Sequence, residues 1–276
     1  MKIAIDKQRV RFRFSKAAPS YHSTAVIQGQ IAEKMITLLQ RFIPMRPDRV
    51  LEIGCGTGLF SRLLLQHLLP KHVFFNDISP EMITQVRDMV KSPAERSAQN
   101  LPQESLPQQP SSQYSFICDD AESCPFPEQL DVIASCSTIQ WFERPDSFFA
   151  RCHSALLADG MLAFSTFGEE NMREMSTTTA VGLGYRSKSE LVAELLALDY
   201  EILLAEEELL TLYLDSPLQV LDHLRQTGVT GITSHCWTKG KLEAYCNAYT
   251  AGYTVGRQVT LTYHPIYIIA QKRGNR

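Results

Sequence analysis

The sequence predicts an α/β fold, a mostly parallel sheet with helices on both faces. Three observations carry this. Short apolar runs rich in branched residues alternate with amphipathic stretches along the first two thirds of the chain. One of them, Val50-Leu51-Glu52-Ile53, breaks into Gly54-Cys55-Gly56-Thr57-Gly58 and continues as an apolar-periodic segment over 59–65, which reads as strand, sharp turn and helix. The next run, over 72–76, ends in Asp77, roughly 20 residues beyond the turn, where open α/β folds grip two ribose hydroxyls.

The bulk properties fit one α/β unit with an elaborated cap. The 276 residues suffice to bury a full core, 44% are apolar, and the net charge of -3 gives no global attraction to nucleic acid or membrane. No apolar run is long enough to span a bilayer and the first residues lack the apolar region of a signal peptide, so the expected compartment is the cytoplasm. The seven cysteines form no C-x-x-C pair and the seven histidines show no ligand spacing, so reduced thiols and no metal are expected.

Taken in order, residues 9–21 are basic and aromatic and read as a solvated arm with aromatic staples or as a functional segment. Helical spacing of Val26, Ile27, Ile31, Ala32, Met35, Leu38, Leu39 and Phe42 predicts an amphipathic helix over 25–43, ended by Pro44. After the strand at 72–77, Ser79-Pro80-Glu81-Met82 supplies an N-cap, a proline at the first helical position and an acid in the first turn, predicting a helix to about residue 90. Residues 92–113 turn abruptly to Pro, Ser, Gln and Glu, which predicts a mobile surface insertion. Strands follow at 114–118, 130–136 and 161–166, with a helix over 147–157 and a turn at Asp159-Gly160. Helices over 191–198, 217–225 and 242–249 and a strand over 209–214 come next, and residues 216–256 read as a cap inserted over the sheet. A last strand covers 262–270, where Pro265 predicts an edge or a bulge.

The glycines at 54, 56 and 58 are spaced two and two with Glu52 before the first, unlike the dinucleotide fingerprint, whose third glycine comes one residue later. This pattern resembles the first motif of class I S-adenosylmethionine-dependent methyltransferases. The resemblance implies a Rossmann-like, mostly parallel seven-stranded sheet and a cofactor site at the turn. Glycine backbones let the amino-acid end of the cofactor lie against the turn, and Glu52 helps hold the place its ammonium enters. Asp77 takes the ribose, followed by Ile78, with Met82 either near the cofactor or plain core. The segment Asp119-Asp120-Ala121-Glu122 looks like the one that reads adenine: a carboxylate accepts from the exocyclic amine and a backbone N–H donates to the ring. Asp120 and Ala121 take those roles, with Asp119 the alternative by one position. Cys55 in the turn and Cys136 at the end of the fourth strand complete the candidate cofactor contacts. Trp141 either packs the following helix or walls the acceptor pocket.

A narrower resemblance covers essentially the whole chain. Phe14-Ser15-Lys16-Ala17-Ala18 with Tyr21 and Gln28, the glycine turn, Asp120-Ala121-Glu122, Ile139-Gln140-Trp141-Phe142, Phe164-Ser165-Thr166-Phe167-Gly168, Leu224-Arg225 with Gly228-Val229-Thr230-Gly231, and Thr262-Tyr263-His264 occur in that order. Together they resemble the malonyl-[acyl-carrier protein] O-methyltransferases of biotin synthesis. The long Pro/Gln insertion, and Cys136-Ser137 where asparagine is common, depart from that pattern. The resemblance implies methylation of the free carboxylate of a malonyl thioester carried by acyl-carrier protein, or by coenzyme A, with S-adenosyl-L-methionine as co-substrate. A carboxylate is ionised at neutral pH, so such transfer needs alignment and desolvation rather than a general base. By resemblance Tyr21 closes the site with its hydroxyl available to the carboxylate. Arg225 is the candidate cation for the malonyl end or else a surface helix charge. An acidic carrier would dock on Arg9, Arg11, Arg13 and Lys16, or on Lys239 and Lys241, unless these only solvate their segments. Two other readings are a methyltransferase for another small acid or quinone-like metabolite and an inert S-adenosylmethionine-binding assembly protein.

Overall fold

The computed structural model describes residues 5–43, 46–91, 112–229 and 237–274. The insertion expected at 92–113 therefore lies almost wholly outside the described residues, as do Pro44, Cys236 and Thr230-Gly231 of the Leu-Arg segment. Seven strands form the main sheet: β1 (Arg49–Ile53), β2 (His72–Asp77), β3 (Gln113–Cys118), β4 (Leu130–Cys136), β5 (Leu156–Phe167), β6 (Tyr200–Glu207) and β10 (Pro265–Lys272), in the order β3-β2-β1-β4-β5-β10-β6. The first five run parallel, and β10 is antiparallel to both of its neighbours. Strand order reverses on either side of β1, so the carboxyl ends of β1, β2 and β4 open the crevice in which sheets of this kind bind ligands.

Alternation along the strands divides the core between the two faces of the sheet. Val50, Val73 and Phe75 pack with α2 (Val26–Leu39) and α3 (Leu59–Leu68), whereas Leu51, Ile53 and Ile133 pack with Phe148 and Phe149 of α5 (Pro145–Ala155). α4 (Pro80–Met89) starts as read, its Ser79 side chain accepting from the Met82 N–H. The remaining helices are α6 (Arg173–Thr179), α7 (Lys188–Ala197), α8 (Pro217–Gln226) and α9 (Lys239–Tyr253), and a second antiparallel sheet joins β7 (Leu210–Leu214), β9 (Gln258–Tyr263) and β8 (Thr254–Val255).

Three expectations need correction. The N-terminal arm is a helix, α1 (Lys7–Thr24), capped by Asp6, whose carboxylate accepts from the Arg9 N–H at 3.0 Å. Val10, Phe14, Ala17, Ala18 and Tyr21 follow helical spacing and form its inner stripe, which the interleaved arginines hide in the sequence. The last strand is neither an edge nor single. The chain leaves β9 at Tyr263, turns at His264 and enters β10 between β5 and β6, so Pro265 sits in the sheet interior. Pro265 is tolerated as the first residue of its strand, where the missing N–H costs no ladder bond, and the bulge falls later, between Ile269 and Ala270. Asp159-Gly160 is not a turn between elements but an irregular part of β5, with Asp159 at φ +62. Residues 200–207 form the edge strand β6, an element additional to those expected from the sequence.

Candidate active site

The carboxyl ends of β1, β2 and β4 surround a cavity of about 100 Å³. Gly54 and Gly56 line it from the turn, Asp77 and Ile78 from the end of β2, Met82 from the first turn of α4, Asp120 and Ala121 from the loop after β3, and Cys136 from β4. Tyr21 and Trp141 also line it. Most of the residues proposed from the sequence thus meet in one place. Glu52, Cys55 and Gly58 lie behind the wall: Glu52 is 1% exposed and Cys55 is buried, while Gly58 caps α3 at φ +86.

The turn is held by Asp77. Its Oδ2 accepts from the Gly56 N–H at 2.9 Å and its Oδ1 from the Ser79 N–H at 2.8 Å, so one carboxylate joins the glycine turn to the start of α4. Burial pushes its pKa up to about 6 against these backbone donors. Asn76 ties β2 to β3 by donating to the Ile117 and Asp119 carbonyls at 3.2 and 2.9 Å. On the adenine-type loop the cavity wall carries Asp120, while Asp119 is exposed and accepts from the Asp120 N–H. Glu122 reaches across to accept from the Glu143 and Arg144 N–H groups at 2.9 and 2.6 Å, which fixes this loop to the one bearing Trp141.

Burial raises the pKa of Glu52 to about 8, and its Oε2 has no hydrogen-bond partner. A carboxyl whose folded pKa lies above its unfolded value near 4.5 binds more protons in the native state. Its contribution is fully present below that unfolded value and is lost as pH rises through about 8. Glu52→Gln should therefore flatten the alkaline fall in thermal stability of the ligand-free protein, by an amount of the order of a few kcal/mol between pH 5 and pH 9. Thermal unfolding across that range checks it: parallel curves for variant and wild type would show that Glu52 is charged throughout. The thiol of Cys136 is likewise pushed up to about 11 by burial and stays protonated at neutral pH.

Residues 1–43 are expected as an arm and helix over the site, but nothing in the sequence singles out Lys7 or Val10. Lys7, Val10 and Phe14 of α1 line the cavity beside Tyr21. The Lys7 ammonium pairs with Asp120 at 3.0 Å and Glu122 at 2.5 Å, and the Ser15 hydroxyl bonds to Glu81 at 2.6 Å. Phe14 stands edge-on to Trp141, 5.6 Å between centroids, and lies against Gly228, where an added Cβ would come within 3.0 Å of the ring. The helical spacing of Val10, Phe14 and Tyr21 was the available signal; nothing marked Lys7. The Tyr21 phenol is raised well above its ordinary pKa by burial, with Cys136 and Asp77 adding to it, so it remains a donor.

Arg225 is not brought to this cavity. It lines a separate chamber of about 510 Å³ between α1, α6, α8 and α9, pairs with Asp222 at 2.5 Å, and is 69% exposed. Its place as the penultimate residue of α8 leaves the side chain largely in solvent. A narrow cavity of about 20 Å³ lies between the two: Tyr21 and Trp141 are shared with the cavity at the glycine turn, and Asn171 and Tyr185 with the chamber. Among the described residues no group of three or more His, Cys, Asp or Glu is placed to hold a metal ion, and no helix is long and apolar enough to cross a membrane.

The sheet, the glycine turn and the acid at the end of β2 define a class I S-adenosylmethionine-dependent methyltransferase. The methyltransferase-domain family matches residues 51–164. Relatives are similar along almost the whole chain: the malonyl-[acyl-carrier protein] O-methyltransferase of Bacteroides thetaiotaomicron is 42% identical over 98% of this chain and 99% of its own length, and that of Haemophilus influenzae 37% identical over 97% and 95%. The chain belongs to the malonyl-[acyl-carrier protein] O-methyltransferase family. A protein of the same name from Bacteroides fragilis is 44% identical over 98% of this chain, which spans only 51% of that longer protein. Among crystal structures, the YcgJ protein of Bacillus subtilis has the same fold, with a TM-score of 0.59 at 15% identity over 88% of this chain and 100% of that one.

Proposed function

We propose that this protein transfers the methyl group of S-adenosylmethionine to the free carboxylate of a malonyl thioester on acyl-carrier protein, giving its methyl ester. Family membership over both full lengths carries the reading. The site fits the donor on two counts. An L side chain at Gly56 would enter open space, which marks a cradle for a ligand, and Glu52 holds an unpartnered buried carboxylate oxygen behind the turn that an ammonium would satisfy. S-adenosylmethionine supplies an electrophilic methyl group whose departure leaves a neutral thioether.

In this reading Asp77 accepts from the ribose hydroxyls, Asp120 and the Ala121 N–H read the adenine, and Ile78, Met82 and Cys136 fill the remaining wall. Cys136 sits beside an alkylating agent as a neutral thiol, which protects it from methylation. The acceptor carboxylate is already ionised, so the protein has to strip its water and aim one oxygen at the methyl group. The Tyr21 hydroxyl donates to the carboxylate, and Trp141 with Phe14 excludes solvent. Arg225, exposed and paired with Asp222, has no part in this.

The helices α1 and α2 serve as a cover over the active site, the core up to about residue 170 as the cofactor-binding part, and 216–256 as the cap. The chamber is far roomier than a malonyl group requires and suits the pantetheine arm of a carrier. Arg13 on α1 lines it, as does Leu242 of α9, the residue after Lys241, so basic residues of both stretches lie close to it and could meet an acidic carrier. The protein would act in the cytoplasm, without a metal, a membrane or nucleic acid.

Mass spectrometry of malonyl-carrier protein after incubation with enzyme and S-adenosylmethionine tests this: a methyl ester is expected, and equal rates on free malonate would remove the carrier from the account. Tyr21→Phe should lower kcat by about 10- to 100-fold, the value of one hydrogen bond to a charged group, with affinity for S-adenosylmethionine within twofold of wild type. Wild-type turnover would return Tyr21 to a packing role.

A further inference from the structure

We infer that the narrow cavity between the two larger ones is the seat of the acceptor carboxylate, held by neutral donors, with Gln28 and Tyr185 as further specificity-determining residues beside Tyr21. The inference rests on the methyl-transfer reading above and concerns how that site selects its acceptor.

Place comes first. The cavity shares Tyr21, Ser137 and Trp141 with the cofactor-side cavity and Tyr185 and Asn171 with the chamber, so any acceptor that comes through the chamber to a methyl group at the cofactor site passes it. Its described lining includes no lysine, arginine or histidine. Its polar groups are hydroxyls and amides, which must recognise whatever enters.

Two of those groups keep hydrogen-bonding capacity that the protein does not use. The Asn171 Oδ1 accepts from the His264 N–H at 3.2 Å, which settles the orientation of that amide and turns its Nδ2 to donate to the Tyr185 hydroxyl at 2.8 Å. A phenol that accepts this bond keeps its own proton to give, and Tyr185 lines the cavity. Burial holds its pKa up to about 12, so the proton is present at every working pH. Gln28, from the inner face of α2, is 6% exposed; its amide hydrogen-bonds to the hydroxyl of Tyr263, another lining residue, and its carbonyl oxygen has no hydrogen-bond partner. Rotation about its last side-chain bond exchanges the oxygen for the NH2 group, so Gln28 can meet a carboxylate with a donor.

The chemistry favours such a seat. A guanidinium would engage both carboxylate oxygens and hold the charge that must attack, whereas separate neutral donors fix the group and leave a lone pair for the methyl carbon. Selectivity follows from the same groups: an acetyl or longer acyl chain without the acid leaves buried donors unpaired, which binding penalises more than a missing contact.

The test compares malonyl- and acetyl-carrier protein. In wild type, methyl ester formation on malonyl-carrier establishes the function, and acetyl-carrier serves as a competitive inhibitor that reports arm binding alone. Tyr185→Phe and Gln28→Leu should each raise the KM for malonyl-carrier by about 10-fold or more, leaving the inhibition constant of acetyl-carrier within threefold and S-adenosylmethionine binding intact by calorimetry. A role confined to packing would move both carriers together. Arg225→Ala should keep the preference for malonyl. The inference is overturned if both Tyr185→Phe and Gln28→Leu keep the wild-type ratio, or if Arg225→Ala abolishes it. Absence of methyl transfer by the wild-type enzyme would instead overturn the functional reading. Tyr185→Phe removes one oxygen, so it remains informative if Gln28→Leu fails to fold.

Discussion

Gly56→Val is expected to abolish S-adenosylmethionine binding, at least 100-fold by calorimetry, in a protein that still folds. The three glycines of the turn serve different ends. At Gly54 an added Cβ would fall 2.2 Å from the Thr138 hydroxyl, and at Gly58 2.8 Å from the Met89 sulfur, so these two are required by the protein's own packing. At Gly56 nothing lies within 4 Å of the added atom, and the residue lines the cavity at the glycine turn. A valine there projects into the space a ligand would fill. Its backbone is also held at φ +54 by the hydrogen bond to Asp77, a conformation that costs a β-branched residue about 1–2 kcal/mol or more. That strain lowers the thermal midpoint by several degrees without removing a core contact. Gly54→Val, by contrast, should fail to accumulate as folded protein. If Gly56→Val bound the cofactor with unchanged affinity, the ligand would not lie on this turn.

The fold was legible where the chain obeys a single period. The strand, glycine turn and helix from Arg49 to Leu68, and the strand ending in Asp77, could be read because burial on both faces leaves almost no choice of residue there. Elements whose residues serve two purposes were harder. In α1 the inner stripe of Val10, Phe14 and Tyr21 is interrupted by arginines on the solvent side, so an ordered helix resembles a basic arm. Along 258–272 one apolar run serves two sheets, and only the three-dimensional turn at His264 separates them. The same distinction governs the site. Asp77 and Asp120 follow strands at fixed places in the topology. Arg225 stands out in the sequence only through the segment around it, and its position on α8 sends it to a different chamber. Gln28 and Tyr185 come from elements that meet only through the fold, and no spacing in the sequence brings them together.

Asp77→Asn should weaken S-adenosylmethionine binding by about 100- to 1,000-fold, more than an isosteric change suggests. Both carboxylate oxygens accept from backbone N–H groups, Gly56 at 2.9 Å and Ser79 at 2.8 Å. An asparagine offers one acceptor and one NH2 group, so one of the two backbone donors must face another donor or lose its partner. Either outcome releases one end of the loop pair that shapes the cavity, and it also removes the anionic acceptor available to the ribose. Two hydrogen bonds to a charged group, at about 1.5–2 kcal/mol each, the lower part of their usual span, account for the range. The effect on stability runs the other way with pH. Burial raises the Asp77 pKa from 3.8 to about 6, so its ionisation burdens the ligand-free wild type increasingly as pH climbs through that interval, while asparagine carries no such load. The difference in thermal midpoint between wild type and variant should therefore narrow from pH 4 to pH 7 even as the affinity gap persists. Asp119→Asn supplies the comparison. Asp119 is exposed, and its side chain accepts from the N–H of Asp120, the residue beside it, so its loss should leave binding within twofold of wild type. Equal losses in the two variants would mean that overall negative charge near the loops, rather than the paired acceptors of Asp77, holds the ligand.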